Sequence, residues 1–187
     1  MGFAISWLAV SGKDSQQALQ ELQLHRTGQT EEFPESPISA TQLPTGWFLV
    51  FANRFDSPLV AGNSLEQLSS GCTVISCQVE EHVMFSSATC YSDGKRKWNV
   101  EHDAQESIYH LSTTGDLPAE FDEIYSSLKQ EQDGSGGDES DVDYIHDVPV
   151  TLAKAVTSFR HDQDSSAPFD VLSSSSPASE KPWWKIW

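Results

Sequence analysis

An α+β domain is what this sequence predicts: a mixed, mostly antiparallel sheet with helices packed on it, followed by a flexible C-terminal tail. Three observations predict it. The stretch 72–103 packs β-branched and aromatic residues around Asp93-Gly94, a pair suited to a two-residue hairpin turn with φ > 0 at both central positions. Two later segments carry apolar residues at helical spacing beside a proline: Phe121, Ile124, Tyr125 and Leu128 behind Pro118, and Val148, Leu152, Val156 and Phe159 around Pro149. Past Asp162 the composition turns to Ser and Pro. This division makes 1–161 one domain and 162–187 a Ser/Pro-rich linker with a Trp-rich tail.

The totals bound the function. In 187 residues, 28 acidic groups face 11 basic ones, for a formal charge of −17. Nucleic-acid binding needs Lys and Arg to displace phosphate counterions, so this charge argues against it. The same field keeps the chain soluble and would attract a basic protein partner. Cys72, Cys77 and Cys90 are an odd set without metal-type spacing, which reads as buried reduced thiols in a cytoplasmic protein. The apolar run from Phe3 to Val10 is too short for a membrane span and reads as a strand.

In chain order, residues 13–23 follow as a helix with Asp14 or Ser15 as N-cap and Ala18, Leu19 and Leu22 as its apolar stripe. Residues 29–45, rich in Glu, Ser and Pro, read as a long loop and a plausible binding surface. Residues 47–53 are apolar on both faces, as in a central covered strand. A short helix holding Leu65 and Leu68 and a strand at 72–79 complete a strand-helix-strand unit, expected to pair in parallel. Residues 103–113 fit helix or strand. Residues 133–143 are an acidic, Gly-rich loop whose spacing refuses the EF-hand pattern, with Asp138 at the sixth position and Tyr144 at the twelfth.

The candidate site residues come from His and carboxylate clusters. His82 follows Glu80-Glu81, and His102 lies between Glu101 and Asp103. Counting outward from the Asp93-Gly94 turn pairs Thr89 with Trp98, Ser87 with Val100 and Phe85 with His102. That register sets His82 and His102 on opposite faces, with His102 as a hydrogen-bonded core residue. A second cluster holds Asp141, Asp143, His146 and Asp147, with His161 further on; Asp147 is expected as a helix cap. Glu81, His82, His146 and Asp147 are thus the catalytic candidates, and His82, His146 and His161 the alternative metal ligands, since a metal hydrolase needs such groups to converge. Nothing in the spacing forces that convergence, so the expectation is no metal and no cofactor. Arg54, just past the central strand, is a ligand-binding candidate by placement. Trp183, Trp184 and Trp187, beside Lys181 and Lys185, are the candidates for docking on a partner or back on the domain itself.

The runs Glu80-Glu81-His82-Val83-Met84, Trp98 to Asp103 and Val142 to Pro149 resemble those of an uncharacterised family of small acidic bacterial proteins with no assigned activity. The resemblance extends to about His161. It implies a bacterial, cytoplasmic setting and supplies no reaction. The function expected from the sequence is therefore that of a soluble cytoplasmic binding protein of acidic character. A metal-dependent hydrolase is the alternative.

Overall fold

In the computed structural model, residues 2–163 and 167–174 are described. Nine strands form one sheet: β1 (Ala4–Ser11), β2 (Leu24–Glu31), β3 (Ile38–Gln42), β4 (Phe48–Ala52), β5 (Thr73–Glu80), β6 (Phe85–Ser92), β7 (Lys95–Asp103), β8 (Ser112–Gly115) and β9 (Phe169–Ser174). Their spatial order is β2-β9-β3-β4-β1-β5-β6-β7-β8. Four helices accompany them: α1 (Ser15–Glu21), α2 (Gly62–Leu68), α3 (Phe121–Gly134) and α4 (Asp147–Thr157). The α+β class is the one expected.

Period-two alternation builds a core on each side of this sheet. Ile5, Trp7 and Ala9 of β1, with Leu49 and Phe51 of β4, face α4 and its Val148, Leu152 and Ala153. Leu8 and Val10, with Phe48 and Val50, face Leu19 of α1 and Leu65 and Leu68 of α2. β1 and β4 are consequently buried on both sides, which explains why β4 is apolar throughout and β1 is apolar from Trp7 to Val10. Asp14 caps α1 by accepting from the Gln16 and Gln17 amides. Cys72, Cys77 and Cys90 are buried free thiols, and burial pushes the Cys77 thiol up to about 12.

Four local readings are corrected. β4 and β5 run the same way, but β1 lies between them, so every described pairing is antiparallel and the parallel contact is not made. Residues 29–45 are not one loop, because the end of β2 and all of β3 fall within them. β9, placed in the expected linker, inserts between β2 and β3, so the folded unit extends past 161 to Ser174. The hairpin register holds at Ser92↔Lys95 and Tyr91↔Arg96 and then slips by one, pairing Cys90 with Trp98, Ser86 with His102 and Phe85 with Asp103. A one-residue bulge reverses faces along one strand. Ser86, Ala88 and Cys90 therefore share the face of Trp98, Val100 and His102, which Phe85 and Tyr91 were expected to do.

The sheet has two unlike ends. At the turn end lie the Asp93-Gly94 turn, with φ of 51° and 71°, the finish of β1 and the start of β5. At the cleft end lie the start of β1, the finish of β4, the β5–β6 connection and the finish of β9.

Candidate functional site

The cleft end is organised around one buried histidine hydrogen-bonded to a carboxylate. His102 shares the core face of β7 with Trp98 and Val100 and is fully buried. Its Nδ1 donates to the His110 carbonyl at 2.7 Å, and its Nε2 meets Asp143 Oδ2 at 2.9 Å. The other Asp143 oxygen accepts from the His146 amide at 3.0 Å at the entry to α4. Asp143, rather than the expected Asp147, thus caps this turn, while Asp147 accepts from Arg160 at 2.9 Å. The His146 carbonyl in turn accepts from the buried Ser86 hydroxyl at 2.6 Å. These bonds tie the α3–α4 connection to β6 and β7. They serve position, because His102 has no exposed atom to offer a ligand.

Above this anchor opens an acidic cleft of about 530 Å³ lined by Glu81, His82, Asp141, Val142, Asp143, His146 and Asp147. The four catalytic candidates, Glu81, His82, His146 and Asp147, are therefore brought together. Their donor and acceptor atoms are largely engaged elsewhere. His82 Nδ1 contacts Glu80 Oε1 at 2.6 Å, His146 Nε2 donates to the Phe85 carbonyl at 3.2 Å, and Glu81 accepts from the Phe3 amide at 2.9 Å. Burial lowers the His146 pKa below its ordinary 6.5, more than Asp147 raises it, so the ring is neutral at neutral pH. Among the described residues no group of three or more His, Cys, Asp or Glu is arranged to hold a metal ion. The metal alternative, His82, His146 and His161, is not assembled: His161 belongs to the neighbouring cleft.

That second cleft, about 440 Å³, is mainly apolar, with Phe3, Ile5, Phe33, Phe51 and His161 lining it and Glu35 and Asp162 at its rim. His161 stands edge-on to Phe3, ring centroids 4.8 Å apart. Its Nδ1 is buried without a hydrogen-bond partner among the described residues, and burial lowers its pKa. Arg160 joins the two clefts by donating to Asp147 on one side and to Asp162 at 2.7 Å on the other. Burial opposes ionisation of Asp162, but Arg160 outweighs it and holds that carboxyl below its ordinary 3.8. The clefts thus form one face with an apolar half and an acidic half.

The exposed side chains single out the same face. Among the described residues, the exposed large hydrophobics are Phe3, Phe33, Val83 and Val142, at 40%, 50%, 42% and 51%. Three line the two clefts, and Val83 lies in the adjoining β5–β6 connection. Sequence reasoning found the acidic half but missed Phe3 and Phe33: the first was assigned to a buried strand. Only the pattern at 29–45, a Phe33-Pro34 pair in a polar stretch, hinted at the second.

Of the remaining candidates, Arg54 lies apart from both clefts. Arg54 bonds Asp56 through Nε and Nη2 at 2.9 and 2.6 Å, both side chains largely exposed, and it lines neither cleft. Trp183, Trp184 and Trp187 fall outside the described residues. Another cleft, between α1 and α2, is lined by Leu22, Leu59 and Gln67 and gathers no histidine or cysteine. Comparison of the chain with protein-family models, curated proteins and solved structures returned no match. No helix among the described residues is long and apolar enough to cross a membrane.

Proposed function

We propose that this chain is a cytoplasmic bacterial interaction protein that docks a basic, aromatic-bearing segment of another protein on its cleft end, as that protein's acidic partner or inhibitor. The observation that carries the reading is the gathering of the exposed large hydrophobics beside the carboxylates Glu81, Asp141 and Asp147. Contiguous exposed apolar surface rimmed by polar groups marks interaction sites. The carboxylates add long-range attraction for a cationic partner and speed its encounter.

The test is calorimetric titration with a synthetic peptide containing Lys and Trp, against the wild type and the Glu81→Gln/Asp141→Asn variant. Both substitutions keep size and hydrogen-bonding capacity. The reading expects saturable binding that weakens severalfold in the variant and falls with added salt. Equal affinity for the variant, or for a peptide with Glu in place of Lys, would contradict it.

A metal-dependent hydrolase keeps one specific support, the meeting of Glu81, His82, His146 and Asp147 in one cleft. To bind a metal there, His82 would have to leave Glu80 and His146 would have to leave the Phe85 carbonyl. Elemental analysis of protein purified without a histidine tag decides the matter. Stoichiometric zinc or manganese would replace the docking reading.

A further inference from the structure

We propose that segment 181–187 of this same chain, Lys-Pro-Trp-Trp-Lys-Ile-Trp, occupies the docking face in cis and competes there with any partner. This rests on the reading of the cleft end as a docking surface and names its resident occupant. Three observations carry it.

The first is where the described chain leaves the fold. β9 runs toward the cleft end, and Val171 pairs with Ser39. Ser174, three residues further on, ends β9 and pairs there with Leu24 of β2. The second is reach: Trp183 lies nine positions beyond Ser174, a reach of at most about 30 Å. The third is complementarity. The apolar cleft offers Phe3, Phe33 and the edge of His161 to an aromatic ring, with Glu35 and Asp162 at its rim and Glu81 in the adjoining cleft for ammonium groups. The segment brings three tryptophans and two lysines. Of the 11 basic residues in the chain, Lys181 and Lys185 are the two that share a heptapeptide with more than one tryptophan.

Occupancy in cis has a quantitative consequence. A tether of this length holds the segment at an effective concentration of order millimolar, so even weak docking fills the face most of the time. If the face is free about one-tenth of the time, a competing peptide binds about tenfold more weakly than to an empty face.

The test compares amide NMR spectra of the full chain and of its Trp183→Ala/Trp184→Ala/Trp187→Ala variant, followed by titration of each with a synthetic peptide of residues 179–187. The substituted residues lie outside the described fold, so the sheet is retained. Expected are shifts at Phe3, Phe33, Asn53 and His161 on substitution, no shift at Lys95 to Lys97, restoration of the original shifts by the peptide, and about tenfold tighter peptide binding by the variant. Unchanged cleft amides in the variant would overturn occupancy in cis. If the peptide still bound at the cleft end in that case, the docking face would survive and only its resident would be wrong. No peptide binding to either protein would sink both. Cleft shifts that vanish on dilution of the wild type would also overturn the proposal, because they assign the segment to a second copy.

Discussion

The two ends of the sheet solve the same problem in different ways. At the turn end, β6 and β7 are closed by Asp93-Gly94, whose positive φ values match the twist of the strands, and the cations Lys95, Arg96 and Lys97 stand exposed beside it. Lys13, at the same end, is nearly buried between Glu21 and the Leu68 carbonyl, so its charge is matched locally. At the cleft end the connections are longer, the histidines and carboxylates collect, and hydrophobic side chains stay in water. One end closes the fold; the other keeps apolar and acidic surface unused by it. Surface left unsatisfied at one end only is better explained by an occupant than by stability.

The largest expected effect tests whether the cleft end is nonetheless firmly built. Asp143→Ala strips the acceptor from a fully buried ring nitrogen of His102 and the cap from the His146 amide. Leaving a buried donor without its acceptor costs about 1–3 kcal/mol, to be read by urea denaturation. Arg96→Ala at the turn end is expected within about 0.5 kcal/mol of wild type. Equal effects would erase the contrast. Next, Gly94→Val places a β-branched residue at φ 71° and should cost at least about 1–2 kcal/mol through the turn itself, leaving peptide binding at the far end untouched.

Acidification acts at the cleft end. His146 and His161 both have pKa values below their ordinary 6.5, chiefly because they are buried. Below pH 6.5 the unfolded chain takes up protons at these rings that the fold resists, so stability falls as pH drops through that window and is fully present above it. Asp143, Asp147, Asp162 and Glu81 face these rings and moderate the effect, while Arg160 adds to it for His161. Denaturation midpoints between pH 7 and 5 should decline less steeply in His161→Phe than in wild type. The smallest effect on stability belongs to Phe33→Ser. This side chain is half exposed, so the fold should change by no more than about 0.5 kcal/mol, while peptide affinity drops severalfold. That divergence separates a docking residue from a structural one.

Much of the fold was legible where local chemistry decides it. The Asp93-Gly94 turn, the Asp14 cap and the stripes of α3 and α4 all act within a few residues, and each formed. β2 was missed because Leu24 is its one buried residue, so an outer strand with six consecutive exposed positions shows no alternation. β9 is short and finds its partners more than a hundred residues away. The hairpin register failed at a bulge that no residue type announces, and the face of Phe85 and Ser86 turned with it. The site was half legible for the same reason. Charge clusters are local, so Glu81, His82, His146 and Asp147 could be nominated. Their meeting, the His102–Asp143 pair across 41 positions and the exposure of Phe3 and Phe33 depend on tertiary placement.

The most direct measurement of the central claim is amide shift mapping of the full chain titrated with a Lys- and Trp-containing peptide. Shifts are expected only at the cleft end, at Phe3, Phe33, Glu81, Val142 and His161, weakening as salt is added. Shifts centred on Lys95 to Lys97 at the turn end, or none at saturating peptide, would contradict it.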